Sequence, residues 1–376
     1  MSLSIGIVGL PNAGKSTLFN ALLSRQIANV APYPFCTIEP NVGVVEVPDG
    51  RLDELAKLVQ LGEKIDHLPP TIPAIVEFKD IAGLVAGASK GEGLGNKFLS
   101  HIRESAAIVH VLRAFEDENV ARAGSVDPKS DFETVKTELC LADLQTLEKQ
   151  KEPNPTVATK EEKKRWETIV KLRGQLGEGI EVTRLRQDFG GQGKWDEEER
   201  KIIKSLSLLS AKPEIFVLNI GEKEVGVGSE KWVGKWDLRS GGVTEVIPIC
   251  AKIEMELSEL LEEERKDFLK ELGLKESGLE KLIKKGYEVL GLQTYLTAGE
   301  KEVRAWTINK GDTAPKAAGV IHTDFEKGFI KAEIVSYEDF VKYKGWKGAG
   351  EAGKVRLEGK EYIMKEGDVV EFKFNN

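Results

Sequence analysis

Short apolar runs alternating with stretches of helical spacing predict an α/β fold: a domain built on a mostly parallel sheet, with a helical insertion and a small, mostly β domain behind it. Three observations predict it. A strand-like run near the N-terminus ends in a glycine-rich loop that opens a helix, further apolar runs recur as far as residue 249, and the residue pattern changes near residue 131 and again near residue 292. At 376 residues the chain exceeds what one core usually serves, so two or three domains are expected.

The first strand is read at Leu3 to Val8, because Ile5, Ile7 and Val8 make a short apolar run bounded by Gly9. Four more follow at Ala74 to Phe78, which leads into Asp80, and at Ala107 to Leu112, Glu214 to Leu218 and Val243 to Ile249. Between Asp131 and Leu209 the chain is charged and helical. Phe132, Val135, Leu139 and Ala142 share one helical spacing, Trp166, Ile169 and Leu176 another, and Pro153-Asn154-Pro155 breaks between them, which predicts a helical hairpin inserted in the sheet domain. From Leu292 onward, Val303 to Ile308, Ile330 to Val335 and Val369 to Phe374 are separated by turns at Lys310-Gly311-Asp312 and Glu366-Gly367-Asp368, the pattern of a small β domain. The predicted domains are 1–128 with 210–285, the insertion 129–209, and 291–376.

Lys and Arg number 54 against 62 Asp and Glu, and a net charge of −8 gives no overall case for DNA or an anionic membrane as partner. Any anion-binding surface is local; the segment from Gly291 onward is balanced, with 14 basic and 14 acidic residues. Cys36, Cys140 and Cys250 are far apart and form no C-x-x-C pair, so reduced thiols are expected rather than a disulfide framework or a zinc site. The start MSLSIGIVGL has no basic leader and too short an apolar run for a signal peptide or membrane span, which points to the cytoplasm.

Gly9-Leu10-Pro11-Asn12-Ala13-Gly14-Lys15-Ser16 matches G-x-x-x-x-G-K-[ST] between a predicted strand and a predicted helix. The glycines let the N–H groups from Asn12, Ala13, Gly14, Lys15, Ser16 and Thr17 converge on phosphates, the helix offers its positive end, Lys15 reaches the β- and γ-phosphates, and Ser16 binds magnesium. Asp80-Ile81-Ala82-Gly83 then supplies an aspartate that holds magnesium through water and a glycine N–H that senses the γ-phosphate. Leu84 stands where Ras-like switches keep a water-orienting glutamine, so intrinsic hydrolysis is expected to be slow or helped from elsewhere. Gly87 to Gly95 reads as a glycine-rich switch. Thr37, in Pro34-Phe35-Cys36-Thr37-Ile38, is the candidate to complete the magnesium shell.

The base-reading element is Asn219-Ile220-Gly221-Glu222, where a GTPase shows N-K-x-D. In N-K-x-D the aspartate accepts from the guanine ring N–H and amine, and adenine offers no such pair. Glu222 is longer by one methylene and Ile220 replaces the pocket-lining lysine, so guanine selectivity is expected to be weakened or lost. Cys250-Ala251-Lys252 occupies the place of the S-A-K loop that meets the base.

Together with the strings Asp80 to Phe98 (DIAGLVAGASKGEGLGNKF) and Thr297 to Phe329, these motifs resemble the YchF family, the Obg-like ATPases of the translation-factor class of P-loop GTPases, over essentially the whole chain. The resemblance implies a G domain interrupted by a coiled-coil arm and a C-terminal TGS domain of β-grasp shape. It also implies ATP bound and hydrolysed in preference to GTP, and a ribosome-associated role in translation or stress response. By the same match Asn219 and the Ile220 backbone hold adenine, Phe115 is associated with the nucleotide pocket, and Leu84 is the hydrophobic residue in place of the catalytic glutamine. Asn12 stands where potassium-stimulated relatives of the class use an asparagine, which raises K+ beside Mg2+ as an ion of the site.

One departure stands out. Where many relatives carry a histidine proposed to act in hydrolysis, this chain reads Val120-Ala121-Arg122-Ala123-Gly124, so either Arg122 substitutes electrostatically or the histidine is not general. In the tail, Lys342, Tyr343, Lys344, Trp346 and Lys347 interleave basic and aromatic side chains, the composition of an RNA contact and equally of a solvated turn with a half-buried Trp. Three functional readings share the same pocket: a ribosome-linked ATPase switch, a nucleotide-sensing scaffold, and a GTPase that keeps guanine preference.

Overall fold

The computed structural model describes residues 4–28, 41–81, 94–116, 126–179, 182, 195–240 and 242–375. The strands are β1 (Ser4–Val8), β2 (Val42–Glu46), β3 (Thr71–Ile72), β4 (Ile75–Asp80), β5 (Ala107–Arg113), β6 (Glu214–Asn219), β7 (Ile247–Ile249), β8 (Leu292–Ala298), β9 (Val303–Asn309), β10 (Phe329–Ser336), β11 (Arg356–Glu358) and β12 (Asp368–Phe374). They form two six-stranded sheets, ordered β2-β4-β1-β5-β6-β7 and β11-β10-β12-β8-β9-β3. The chain divides into two compact units, Met1–Val45 with Glu77–Leu282, and Glu46–Val76 with Ile283–Asn376.

In the first unit β4, β1, β5, β6 and β7 pair in parallel. β1 and β5 are buried along their whole length, which is why both read as unbroken apolar runs rather than alternating ones. The registers Ile7↔Asp80, Val8↔His110, Arg113↔Asn219 and Asn219↔Ile249 bring the strand C-termini to one edge, where ligands bind in sheets of this kind. β7 is shorter than the expected Val243 to Ile249. Val243 and Val246 are buried in the core beside it but pair with no strand, so their apolarity reports burial alone.

The insertion contains helices Pro128–Glu148 and Lys160–Gly177, and a third, Glu197–Leu206, that the periodicity did not single out. Asp127 caps the first helix by accepting from the N–H groups of Lys129 and Ser130, with Pro128 at the position that needs no donor. Capping boxes start the other two, Thr159 with Glu162 and Asp196 with Glu199. Asp143, fully buried, pins the returning chain by accepting from Leu209 N, Ser210 N and the Ser210 hydroxyl at 2.7–2.8 Å.

The second unit contains a segment that chain order would assign elsewhere. Residues 46–76 were expected inside the nucleotide-binding domain, yet they cluster with residues 283–376. Helix Arg51–Glu63 buries Leu52, Leu55, Ala56 and Val59 and packs on β8, β9 and helix Tyr337–Lys342, while β3 extends the sheet by pairing in parallel with β9. Arg51 donates to both oxygens of Asp49 and to Glu366 Oε1 at 2.7 Å, and Glu366 Oε2 accepts from Thr294 N. The core of this unit holds Tyr295, Ile308, Phe329, Ile334, Val370 and Phe372. Among the described residues no helix is long and apolar enough to cross a membrane.

Candidate nucleotide site

The glycine-rich loop leaves β1 at Gly9 and enters helix Lys15–Ala28. Asn12 and Gly14 have φ of 62° and 94°, so the chain turns through the left-handed region twice in three residues. Gly14 has no room for a side chain, because a Cβ there would stand 2.1 Å from Asn219 Nδ2. Ala13 is buried, while Ser16 and Thr17 are exposed at the helix start, the end of a helix that suits an anion.

Lys15 is 7% exposed, and its ammonium donates to Leu10 O at 2.8 Å. Burial pushes its pKa down and the charge of Asp80 partly restores it. Asp80, at the end of β4, is pushed up by burial and pulled back by Lys15 and by a hydrogen bond from Ser16. Its Oδ1 is buried and meets no hydrogen-bond donor among the described residues. A buried acceptor left over beside a hydroxyl and an ammonium fits a hard divalent cation at this place.

On the base side, Asn219 bridges two loops. Its Nδ2 donates to Ala13 O at 3.0 Å and its Oδ1 accepts from Ala251 N at 3.1 Å, while Ile220 N donates to Ile249 O at 2.9 Å. The P-loop, residues 219–222 and residues 250–252 are thereby tied together. Ile220 does not line an open pocket: its side chain is 3% exposed, in a cluster with Leu218, Trp232 and Cys250. Cys250 and Ala251 are buried, and burial pushes the Cys250 thiol up. Glu222 is half exposed and accepts from Lys252 Nζ at 2.6 Å, a bond that raises the lysine's pKa. Phe115 is half-buried, with the Arg113 guanidinium 4.6 Å over its ring and donating to its carbonyl.

The structure therefore brings Asn12 to Thr17, Asp80, Asn219, Ile220, Glu222, Cys250 and Ala251 to one end of the sheet, with Phe115 on the loop after β5. Thr37, Gly83, Leu84 and Arg122 lie outside the described residues. Sequence reasoning missed two features: the bridging use of the Asn219 amide and the Glu222–Lys252 pair. The second had a visible signal, an acid and a basic residue at the ends of two loops that Asn219 joins.

A family model described as 50S ribosome-binding GTPase matches residues 4–160, and the model YchF-GTPase_C, described as a protein of unknown function, matches residues 292–375. The chain is 51% identical to "Ribosome-binding ATPase YchF" of Bacillus subtilis and 50% identical to the protein of that name from Haemophilus influenzae, each over 100% of both chains. It is also similar to a solved structure, that of the Schizosaccharomyces pombe YchF GTPase, with 39% identity, a TM-score of 0.84 and coverage of 99% of this chain and 98% of that one. Full-length identity at this level, and the P-loop and base-loop geometry at the sheet's C-terminal edge, place the chain in the YchF family.

Proposed function

We propose that this protein binds ATP in preference to GTP, hydrolyses it slowly to ADP and phosphate, and uses the bound state to set its association with the ribosome. The base preference rests on one observation: Glu222, the acid of residues 219–222, is already paired with Lys252. A guanine would find no free carboxylate for its ring N–H and amine. Adenine, lacking that pair of donors, loses nothing. The ribosome-linked role is supported by the names of the bacterial relatives.

Within this reading the N–H groups of Asn12 to Thr17 and the ammonium of Lys15 hold the phosphates. Ser16, Thr37 and Asp80 would hold magnesium, which would supply positive charge to offset that of the β- and γ-phosphates. Gly83 is assigned to the γ-phosphate and Leu84 to the place of the water-orienting glutamine, which makes basal turnover slow. Asn12 is the residue assigned to K+, and equal turnover in sodium and potassium buffers would remove that ion from the proposal. RNA contact is assigned to Lys344, Trp346 and Lys347, which line a 620 Å³ cleft of the second unit with Phe325 and Phe340. Ultraviolet crosslinking of RNA to wild type but not to Lys344→Ala/Lys347→Ala is the expected result.

The deciding experiment is competition of unlabelled ATP and GTP against one fluorescent nucleotide in magnesium, followed by co-sedimentation with ribosomes. ATP is expected to compete at lower concentration, and ribosome binding to differ between ATP and ADP. GTP competing better would return the protein to the guanine-binding class. Ribosome binding that Lys15→Ala abolishes while a hydrolysis-deficient, ATP-binding variant retains it would favour the nucleotide-sensing scaffold.

A further inference from the structure

The acidic end of the base loop and the basic end of the neighbouring loop meet in one ion pair, Glu222 Oε1 with Lys252 Nζ at 2.6 Å. Its position is fixed from both sides: Ile220 N on Ile249 O and Ala251 N on Asn219 Oδ1 hold residues 219–222 against residues 250–252, and Asn219 Nδ2 ties both to the P-loop. We infer that Lys252 is a positioning residue for nucleotide selection, acting through Glu222 by holding and neutralising the carboxylate that stands at the guanine-reading position. This rests on the proposed preference for ATP and deepens it.

The argument is one of competition. A carboxylate recognises guanine through its negative charge and two acceptor directions, received by the ring N–H and the exocyclic amine. An ammonium already on one oxygen supplies a donor, cancels the charge and fixes the carboxylate's direction. Guanine must displace or share that partner, whereas adenine has no matching donor pair and bears no such cost. Length alone therefore does not explain the loss of guanine selectivity. A glutamate free to swing could still accept from guanine, and Lys252 restrains it. Both side chains are more than half exposed, at 70% for Lys252 and 54% for Glu222, so the restraint is modest and screened by salt.

The test is the ratio of GTP to ATP dissociation constants, by competition against one fluorescent nucleotide, in wild type, Lys252→Met, Lys252→Arg, Glu222→Gln and Glu222→Gln/Lys252→Met. Lys252→Met keeps the aliphatic stem and removes the charge at an exposed site, so folding is not at stake. The expected result is a ratio that falls by about fivefold in Lys252→Met, the ceiling for an exposed pair. Lys252→Arg should hold the ratio near wild type, and Lys252→Met should not change it in the Glu222→Gln background. An unchanged ratio in Lys252→Met, with ATP preferred by wild type, overturns the role of Lys252 and leaves the ATP reading standing. A fall that persists in the Glu222→Gln background also overturns it, since Lys252 would then act on the base directly. A wild type that prefers GTP removes the ATP reading and this inference with it.

Discussion

Lys15 and Asp80 are both held where water reaches them poorly, and burial is the largest influence on each, disfavouring the ammonium of one and the carboxylate of the other. Asp80's folded-state pKa lies above its unfolded value, so its favourable contribution is complete below the unfolded value and is lost as pH rises through the folded one. Lys15, depressed in the fold, contributes favourably above its ordinary value and loses that as pH falls through its lowered one. At neutral pH both charges thus weigh against the nucleotide-free fold. The neutral double variant Lys15→Met/Asp80→Asn should unfold later than wild type without nucleotide, by about 1 kcal/mol or more, while binding none. Chemical denaturation at pH 7 and again in acid checks this, because the Asp80 share of the gain should vanish once its carboxyl is protonated. Asn219→Ala behaves differently. It strands the buried N–H of Ala251 and carbonyl of Ala13, and should cost about 2–3 kcal/mol in the same assay while weakening ATP and GTP alike. Gly9 to Ser16 were legible because backbone chemistry dictates each position. The partners of Asn219 were not, since Ala13 and Ala251 are distant in sequence. The burial of the Ile220 side chain is not legible either, because a motif says nothing of which way a side chain leaves a strand end.

Among the elements, the inserted helices show how a buried carboxyl group can close a long excursion of the chain. Asp143 is pushed up by burial and drawn back by the bonds from Leu209 and Ser210, so the chain it holds offsets part of the penalty of burying its carboxylate. Asp143→Ala removes three hydrogen bonds and leaves two backbone donors buried, for an expected loss of about 2–5 kcal/mol. Hydrogen exchange should quicken first around residues 207–212, and uniform quickening across the first sheet would show that the insertion and sheet unfold as one. The two long helices were legible because their apolar spacing is regular and Pro153 to Pro155 interrupt it. Glu197–Leu206 was obscured because its apolar face is only Ile202, Ile203 and Leu206 within a charged run. β2 carries little strand signal because Gly43 dilutes its alternation.

For the whole molecule, the discontinuous second unit matters most. A fragment of residues 283–376 alone lacks β3 and helix Arg51–Glu63, so it exposes the apolar surface that Leu52, Leu55, Ala56 and Val59 cover and leaves Glu366 without Arg51. Such a fragment should be poorly folded by circular dichroism and amide NMR spectra, and adding a peptide of residues 46–76 should restore dispersion; a well-folded fragment without the peptide would refute this. The α/β class and the change to a β domain after residue 291 were legible from periodicity and turns. The allegiance of residues 46–76 was not, because local pattern shows that a helix has an apolar face but not which surface will meet it. The same arrangement sets a timetable for synthesis. Residues 46–76 leave the ribosome before residues 77–282, and β8 and β9 follow only afterwards. At about 5–20 residues per second the apolar face of that early helix waits on the order of 10–40 s for its partner. Slowing elongation downstream of residue 76 is therefore expected to lengthen the period in which the nascent chain can aggregate, read as a larger insoluble fraction of newly made protein.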